Sequence, residues 1–523
     1  MATQWQTFPI EFRGGLISNL SKLQQGINAV GSATILQNFE PNTEGGYSKI
    51  LGYQKYSTNA LAGTGPTLAL KVINSSKIIA ARKNSNNRTE YYLNTGGSSA
   101  WTPFLDSAGV ATGVGTGVGG KVRSAEYNFS GYDNTIFVDG ANYPAIYSTS
   151  GDTFTFLTSA NSTAISGADH VAIYKNAAFY AVNNMLVYSA PETVDNFEAG
   201  LGGDKLVGQK ITGLIVFRDQ LLIFTKDTIS ALRGSSSADY TISPITTRTG
   251  CIDGNTIQEV GGDIMYLAPD GLRLLSATDR IGDFALDVAS DKIQKDANTL
   301  INATSNFSSV ILREKAQYRL FSYIENETAS VAKGLIATKY VAQGAGGFSW
   351  ATTQGIKATV ADSRYANNIE TVAFSNEDGY VYIMDTGSNF DGANIEAIYE
   401  SPYMPITDPQ TRKTFYKMTL YAQPTGSMSL DFNIKYDFDA KAEAGTVQPS
   451  TQQLTGTGTS VFIYGASNAI YGTATYGGEL DNIYNTNVIG SGKTVALRIA
   501  DNTANPTFTL DTAVLEFAQN DRQ

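Results

Sequence analysis

His170 and Cys251 are each the sole residue of their kind in this 523-residue chain, which limits the nucleophilic and metal chemistry it can host. A Ser-His-Asp or Cys-His relay needs its base within hydrogen-bond reach of a nucleophile and a third group to orient that base. His170 instead opens the strand-like run Val171-Ala-Ile-Tyr174, with no Ser or Cys signature nearby. It reads as a structural or surface imidazole. One Cys and one His cannot supply the ligands of a zinc site, and a lone Cys251 excludes an intrachain disulfide and hence a disulfide scaffold.

Gly490-Ser-Gly-Lys-Thr494 has the ending of a phosphate loop. The motif's first glycine should fall at position 487, which is Asn, and the residues that follow, Val495-Ala-Leu-Arg-Ile499, form a strand pattern where a helix is required. Nucleotide binding is therefore rejected. Asp139-Gly140, Asp270-Gly271, Asp378-Gly379 and Asp391-Gly392 each offer a carboxylate, but none has the ligand spacing of a calcium loop. Asp-Gly pairs also supply the positive φ of hairpin turns, and that is the reading adopted. Two carboxylates for glycoside hydrolysis need only meet in space, and no pair stands out. Residues 109–120, Gly-Val-Ala-Thr-Gly-Val-Gly-Thr-Gly-Val-Gly-Gly, lack both the Lys-Ser/Thr ending and the strand-loop-helix setting of a phosphate site. They read as a mobile loop. No catalytic, cofactor or metal residue is expected.

The elements around these residues repeat. Residues 170–188, 211–232 and 263–275 are each a run rich in Val, Ile, Leu, Tyr and Phe, a polar turn (Lys175-Asn176, Arg218-Asp219, Pro269-Asp270-Gly271), and a returning run. This is the pattern of β-hairpins. One such unit leaves a face of its sheet bare, whereas several around a centre cover one another, and about four short strands per 40–50 residues is the habit of a propeller blade. Looser pairs precede them, at 77–93 and 134–147, and others follow between 308 and 384. Six to eight blades fit between about 60 and 390. Two helices are expected: one along Leu16, Leu20, Leu23, Ile27 and Val30, ending at Gly31, and one over 279–301 with Leu286, Ala289, Ile293, Ala297 and Leu300 on one face. Near 390 the composition changes. Ser427–Asp439 alternates with period two, a Gly/Thr/Gln stretch at 444–459 follows, and 461–464, 494–499 and 508–517 read as further strands. The expected fold is mainly β: a propeller with a β-sandwich-like C-terminal domain and a few short helices. It divides into an N-terminal arm and strand (1–57), a propeller body (58–392) and an outer sandwich (393–523).

Composition agrees with a sheet-rich protein with many turns: 16% charged residues, 51 Gly, 29 Tyr and 24 Phe. The net charge of −11 argues against tight non-specific wrapping of nucleic acid, which draws on clustered Lys and Arg. The opening residues have neither the basic start nor the apolar core of a secretory signal. No run approaches the roughly 20 apolar residues of a membrane helix.

Leu36-Gln-Asn-Phe-Glu-Pro-Asn-Thr-Glu-Gly-Gly-Tyr-Ser-Lys-Ile-Leu-Gly-Tyr53 is an extended Asn-Phe-x-Pro element, a Gly45-Gly46 turn and a basic strand. It resembles the opening of the tail nozzle proteins of short-tailed bacteriophages, also called packaged-DNA stabilisation or tail tubular B proteins. Many of those carry Arg where this chain has Ser48-Lys49. Similar too are Gln317-Tyr-Arg-Leu-Phe321 after a short helix, Gly347-Phe-Ser-Trp350, Asp408-Pro-x-x-Arg-Lys413, and Gly490-Ser-Gly492 before Val495-x-Leu-Arg-Ile499 and a closing Phe508-x-Leu510. The resemblance implies a virion protein of the tail, assembled in the host cytoplasm. It would form a homo-oligomeric ring, a hexamer in many family members, that extends the channel below the portal and adaptor ring. Such a ring carries tail fibres or tailspikes beside it, retains packaged DNA and opens for ejection. On that footing Gly113, Val114, Gly115, Thr116, Gly117, Val118 and Gly119 are candidate channel residues, and shortening their loop is expected to let DNA leak. The rival expectations are a propeller that binds a receptor or glycan and, behind it, a propeller glycosidase.

Overall fold

The two dipeptide turns chosen from the sequence adopt the geometry their hairpins need. Lys175 and Asn176 sit at φ 48° and 56°, and Arg218 and Asp219 at 45° and 61°. Positive φ at both central positions gives a type I′ turn, whose twist matches that of the flanking strands. The computed structural model describes residues 5–97, 100–129, 131–158, 160–198, 200–275, 288–342, 345–439, 449–456 and 483–520.

His170–Tyr174, Ala177–Val182, Met185–Tyr188 and Gly203–Leu206 pair antiparallel in chain order as one four-stranded blade. Among the described residues there are seven such units: 64–103, 123–156, 170–206, 211–246, 258–274 (three strands), 307–354, and 360–384, whose fourth strand is Tyr53–Lys55 from the N-terminal side. They are numbered one to seven in that order. The first strand of each blade faces the axis, and that of blade seven, Val360–Ala366, packs against that of blade one, Thr64–Val72, so the ring is closed. The protein is thus a β-propeller with its closing blade stitched from both sides of the ring.

Strand period two explains why the blades adhere. In Gln220–Thr225, Leu221 and Ile223 pack with Phe179 and Tyr188 of blade three, while Leu222 and Phe224 pack with Ile264 and Tyr266 of blade five. Successive side chains point to opposite faces of a sheet. A strand covered on both faces therefore reads as an unbroken apolar run.

Blade six does not end at its fourth strand. Gln37 pairs in parallel with Thr352, and the sheet continues through Ile35–Gln37, Ile395–Glu400, Val495–Thr503, Met428–Tyr436 and Gln452–Gly456. Against it lies a second sheet of Phe39–Pro41, Tyr47–Lys49, Phe508–Gln519, Lys413–Pro424 and Ile483–Gly492, with Gln6–Glu11 beside Phe508–Gln519. Phe415, Met418 and Leu420 from one sheet and Leu430, Phe432 and Ile434 from the other share one core. The alternating burial of Met428–Tyr436 is the period-two pattern of its sequence. Residues set apart as an N-terminal arm are spread over both lobes, with strands in the sandwich and Tyr53–Lys55 in blade seven.

The helices depart from expectation. Helix α1 covers only Lys22–Asn28, capped by Ser21, and buries Gln25 and Gly26 instead of the apolar stripe; Ile27 is 57% exposed. The reason is contact at the backbone: a Cβ on Gly26 would lie 2.0 Å from the Tyr403 carbonyl oxygen. Helix α2 is Gln294–Ala303 after a 3-10 turn at Asp291–Ile293, with Ala297 and Leu300 buried as the pattern required. Residues 279–287 of the expected helix lie outside the described residues. Helix α2 lies against Gly271–Leu274, the last described strand of three-stranded blade five, where a bare strand edge would otherwise be open.

Candidate functional site

The inner strands converge on an axial cavity of about 210 Å³ whose walls come from all seven blades. At one end stand Lys121, Arg123 and His170, placed there because each begins, or just precedes, an inner strand. Lys121 Nζ donates to the Phe307 carbonyl at 2.6 Å. Burial depresses its pKa to about 8, against partial support from Asp253. Arg123 donates through Nε to Asn255 Oδ1 (3.2 Å) and through Nη1 to the Asp169 carbonyl (3.3 Å), while its nearest carboxylate, Asp253, is 3.9 Å away. His170 is 7% exposed and neither ring nitrogen completes a hydrogen bond. Desolvation, then Arg123 and Lys210, hold its pKa well below the usual histidine value, and the Thr212 carbonyl beside it offsets only part of that.

Toward the other end, Lys71 pairs with Glu126 (3.0 Å) and Asp362 (3.5 Å), and Arg364 pairs with Glu126 (2.6 Å). Burial would raise the Glu126 pKa, but Lys71 and Arg364 outweigh it and hold the carboxyl below its ordinary range. These crossed pairs and the small volume mean that no polymer threads the propeller's own axis.

The glycine-rich loop is not free, which corrects the expectation of mobility. Tyr91 N donates to Gly113 O, Gly115 N to Thr89 O and Thr89 N to Gly117 O, so 113–117 prolongs the outer edge of blade one. Gly117 N and Thr116 Oγ1 donate to Asn142 Oδ1, and Gly119 N to Thr89 Oγ1. Val114 bridges to Glu90, and Val118 lies in the same pinned run. The glycines are there for close approach: a Cβ on Gly115 would meet the Asn142 amide at 2.7 Å, and one on Gly119 the Asp139 carboxylate at 2.3 Å. Glycine density signalled packing against Asn142 and Asp139 of blade two, not flexibility.

The remaining candidates are dispersed. Gly140, Gly271, Gly379 and Gly392 all have positive φ, as turns require. No group of three His, Cys, Asp or Glu side chains suited to a metal occurs among the described residues. Gly490–Thr494 is the turn from Ile483–Gly492 in one sheet to Val495–Thr503 in the other, and its Lys493 and Thr494 amides donate to Asp437 Oδ1. The Cys251 thiol is buried and donates to the Asp253 carbonyl, and burial pushes its pKa up to about 12, so it is no nucleophile. Sequence reasoning missed Lys121 and Arg123; the available signal was a Lys-x-Arg immediately before an inner strand. It also missed an apolar patch on the solvent face of the sandwich, where Trp5 packs on Tyr416 at 4.3 Å near Ile489 (76% exposed), with Tyr421 and Ile483 paired further along the same strands.

The architecture defines the class: a closed seven-bladed propeller fused through one blade to a β-sandwich. No family model and no curated protein matches the chain. Among solved structures it is similar to the exo-β-1,3-galactanase of Phanerochaete chrysosporium with galactose (8% identity, 90% of this chain, 100% of the other, TM-score 0.27). It is also similar to YCF48 bound to D1 peptide (9%, 64% and 98%, TM-score 0.38) and to the extracellular domain of a one-component system from B. thetaiotaomicron (9%, 79% and 45%, TM-score 0.36). The propeller assignment rests on the strand order and ring closure above.

Proposed function

We propose that this chain is an architectural subunit of a short-tailed bacteriophage tail, a nozzle that assembles as a ring, a hexamer by family habit, below the adaptor. The ring would hold the packaged genome until ejection. The observation that carries this reading is where the residues behind the resemblance sit. Lys49 is buried and bonded to Asp501 (3.1 Å) and the Thr503 carbonyl (2.9 Å). Arg319, wholly buried, links Glu40 and Asp385. Trp350 is buried with Nε1 on the Ala289 carbonyl, and Lys413 is buried against the carbonyls of Pro405 and Asp408. Arg319 ties blade six to the sandwich and to the end of blade seven, while Lys49 and Lys413 tie segments of the sandwich to one another, and these residues do not converge on a pocket. A signature made of joints suits a protein whose work is mechanical.

With the propeller axis blocked, this reading puts the DNA path between subunits, in the hole of the ring. A net charge of −11 lets DNA pass there without sticking. The exposed patch around Trp5, Tyr416 and Ile489 suits contact with a neighbouring protein. Electron microscopy of the purified protein, with mass photometry across concentration, tests the reading. Rings of uniform subunit number are expected. A monomer at every concentration, saturating with a glycan or turning one over, would replace the nozzle with one of its rivals.

A further inference from the structure

The axial cavity holds more positive charge than its own carboxylates neutralise. Lys121 donates to a carbonyl, not a carboxylate, and Arg123 has none within direct hydrogen-bond distance. The acids nearby are engaged elsewhere. Asp253 accepts from the Asn255 amide (2.9 Å) and side chain (2.8 Å) and from the Phe307 amide (3.2 Å). Asp169 pairs with Lys210 at 3.0 Å, and Asp362 holds Lys71 and the Val72 amide (2.8 Å). Beside them His170, more than nine-tenths buried, lines the cavity, and neither ring nitrogen completes a hydrogen bond, with the Thr212 carbonyl next to it in poor geometry. Burying a polar group without a completed hydrogen bond is unfavourable, and buried ones are as a rule paired. Ser308, Ser309 and Gln258 also line the walls, their hydroxyls and amide donating to the Ala358, Asn255 and Ser309 carbonyls, so the two cations and His170 are left to meet a ligand. The volume, about 210 Å³, exceeds an apolar cavity of ~150 Å³ that takes up benzene.

We infer that this cavity is a binding site for a small oxyanion, phosphate or a compact carboxylate, held by Lys121 and Arg123 with His170 donating from the wall. The site is independent of ring assembly, so it stands or falls apart from the nozzle reading. Half-buried cations gain from a charge-assisted partner, and an anion here would bridge blades two and three to the first strand of blade six. Bound at the hub, it would tighten the wheel by binding the folded state alone.

His170, being the only histidine, is its own probe. In the full chain labelled at histidine, its imidazole resonances are followed while inorganic phosphate, or separately acetate, is added against sodium chloride at matched ionic strength. The thermal midpoint is measured in parallel. Saturable movement of the His170 signals with a rising midpoint is expected in at least one arm, and the arm that saturates tells phosphate from carboxylate. Lys121→Met should weaken the half-saturation point by about tenfold or more, the weight of one charge-assisted bond. Lys417→Met, on the sandwich, should leave it unchanged. Signals that do not move, move equally in chloride, or respond alike in Lys121→Met would overturn the site and leave water as the occupant.

Discussion

Two kinds of seam hold this molecule together. From blade seven round through blade one to blade five, each interface is an apolar cluster contributed by two neighbouring blades, such as Ile79, Ala81 and Tyr91 against Phe137 and Tyr147. Where blades six and seven meet the sandwich, the core also encloses charge. Glu40 of the sandwich receives Lys315 (2.6 Å) and Arg319 (2.8 Å) of blade six, and both cations also reach Asp385 at the end of blade seven (2.7 and 3.2 Å). Within the sandwich, Lys49 and Asp501 make a second enclosed pair from one sheet to the other, 1% and 0% exposed at the side chain. Hydrocarbon is non-directional and suits a repeated contact. Enclosed ion pairs demand one geometry, which suits a joint where three separate stretches of chain must meet in a single register.

The contrast is broken most severely at Arg319. Arg319→Ala leaves Glu40 and Asp385 enclosed with Lys315 alone, and removal of one partner from such a group costs about 3–5 kcal/mol. Urea unfolding should show that loss, and hydrogen exchange should rise first at Phe39–Pro41 and the strands flanking Asp385, with blades two to four still protected. A loss under about 1 kcal/mol would mean that the joint is hydrocarbon like the rest.

Leu222→Ala is the matching test in the wheel. Leu222 is 2% exposed and meets Ile264 and Tyr266 across the interface of blades four and five. A cavity there should cost about 2–4 kcal/mol, with exchange rising in those two blades. Disturbance reaching the sandwich would show that the wheel transmits strain and is not a sum of neighbour contacts.

That difference also decides what could be read in advance. The wheel's contacts are local, and short unbroken apolar runs such as Leu221–Phe224, with turn pairs like Lys175-Asn176, announce hairpins and hence blades. The joint links residues far apart in sequence: Glu40 and Arg319 by 279 positions, Lys49 and Asp501 by 452. No window of sequence contains both ends, so Lys49 and Arg319 appeared only as letters in a resemblance. Helix α1 failed for the same reason, since its packing face was dictated by the distant Tyr403 carbonyl. The axial cavity was hidden likewise, its walls coming a few residues at a time from seven separate blades. The loop at 113–119 misled because glycine permits both freedom and tight approach, and only Asn142 and Asp139 distinguish the two.

Acid should separate the seams by a smaller margin. Burial would raise the Asp385 pKa, but Arg319 and Lys315 outweigh it and hold the carboxyl below its ordinary value. A group depressed in the folded state adds stability above its unfolded pKa, about 3.9 for Asp, and loses it as pH falls through the folded value. Asp385→Asn removes that titration. At neutral pH it should cost about 1–3 kcal/mol through weakened charge-assisted bonds, and between pH 5 and pH 3 its stability should fall less steeply than that of the parent chain. Leu222→Ala, by contrast, should lower the whole pH profile without changing its slope, because hydrocarbon binds no protons. Parallel acid limbs for Asp385→Asn and the parent would show that the joint's cohesion does not depend on this carboxylate's charge, and would leave Glu40 as the anion that both cations hold.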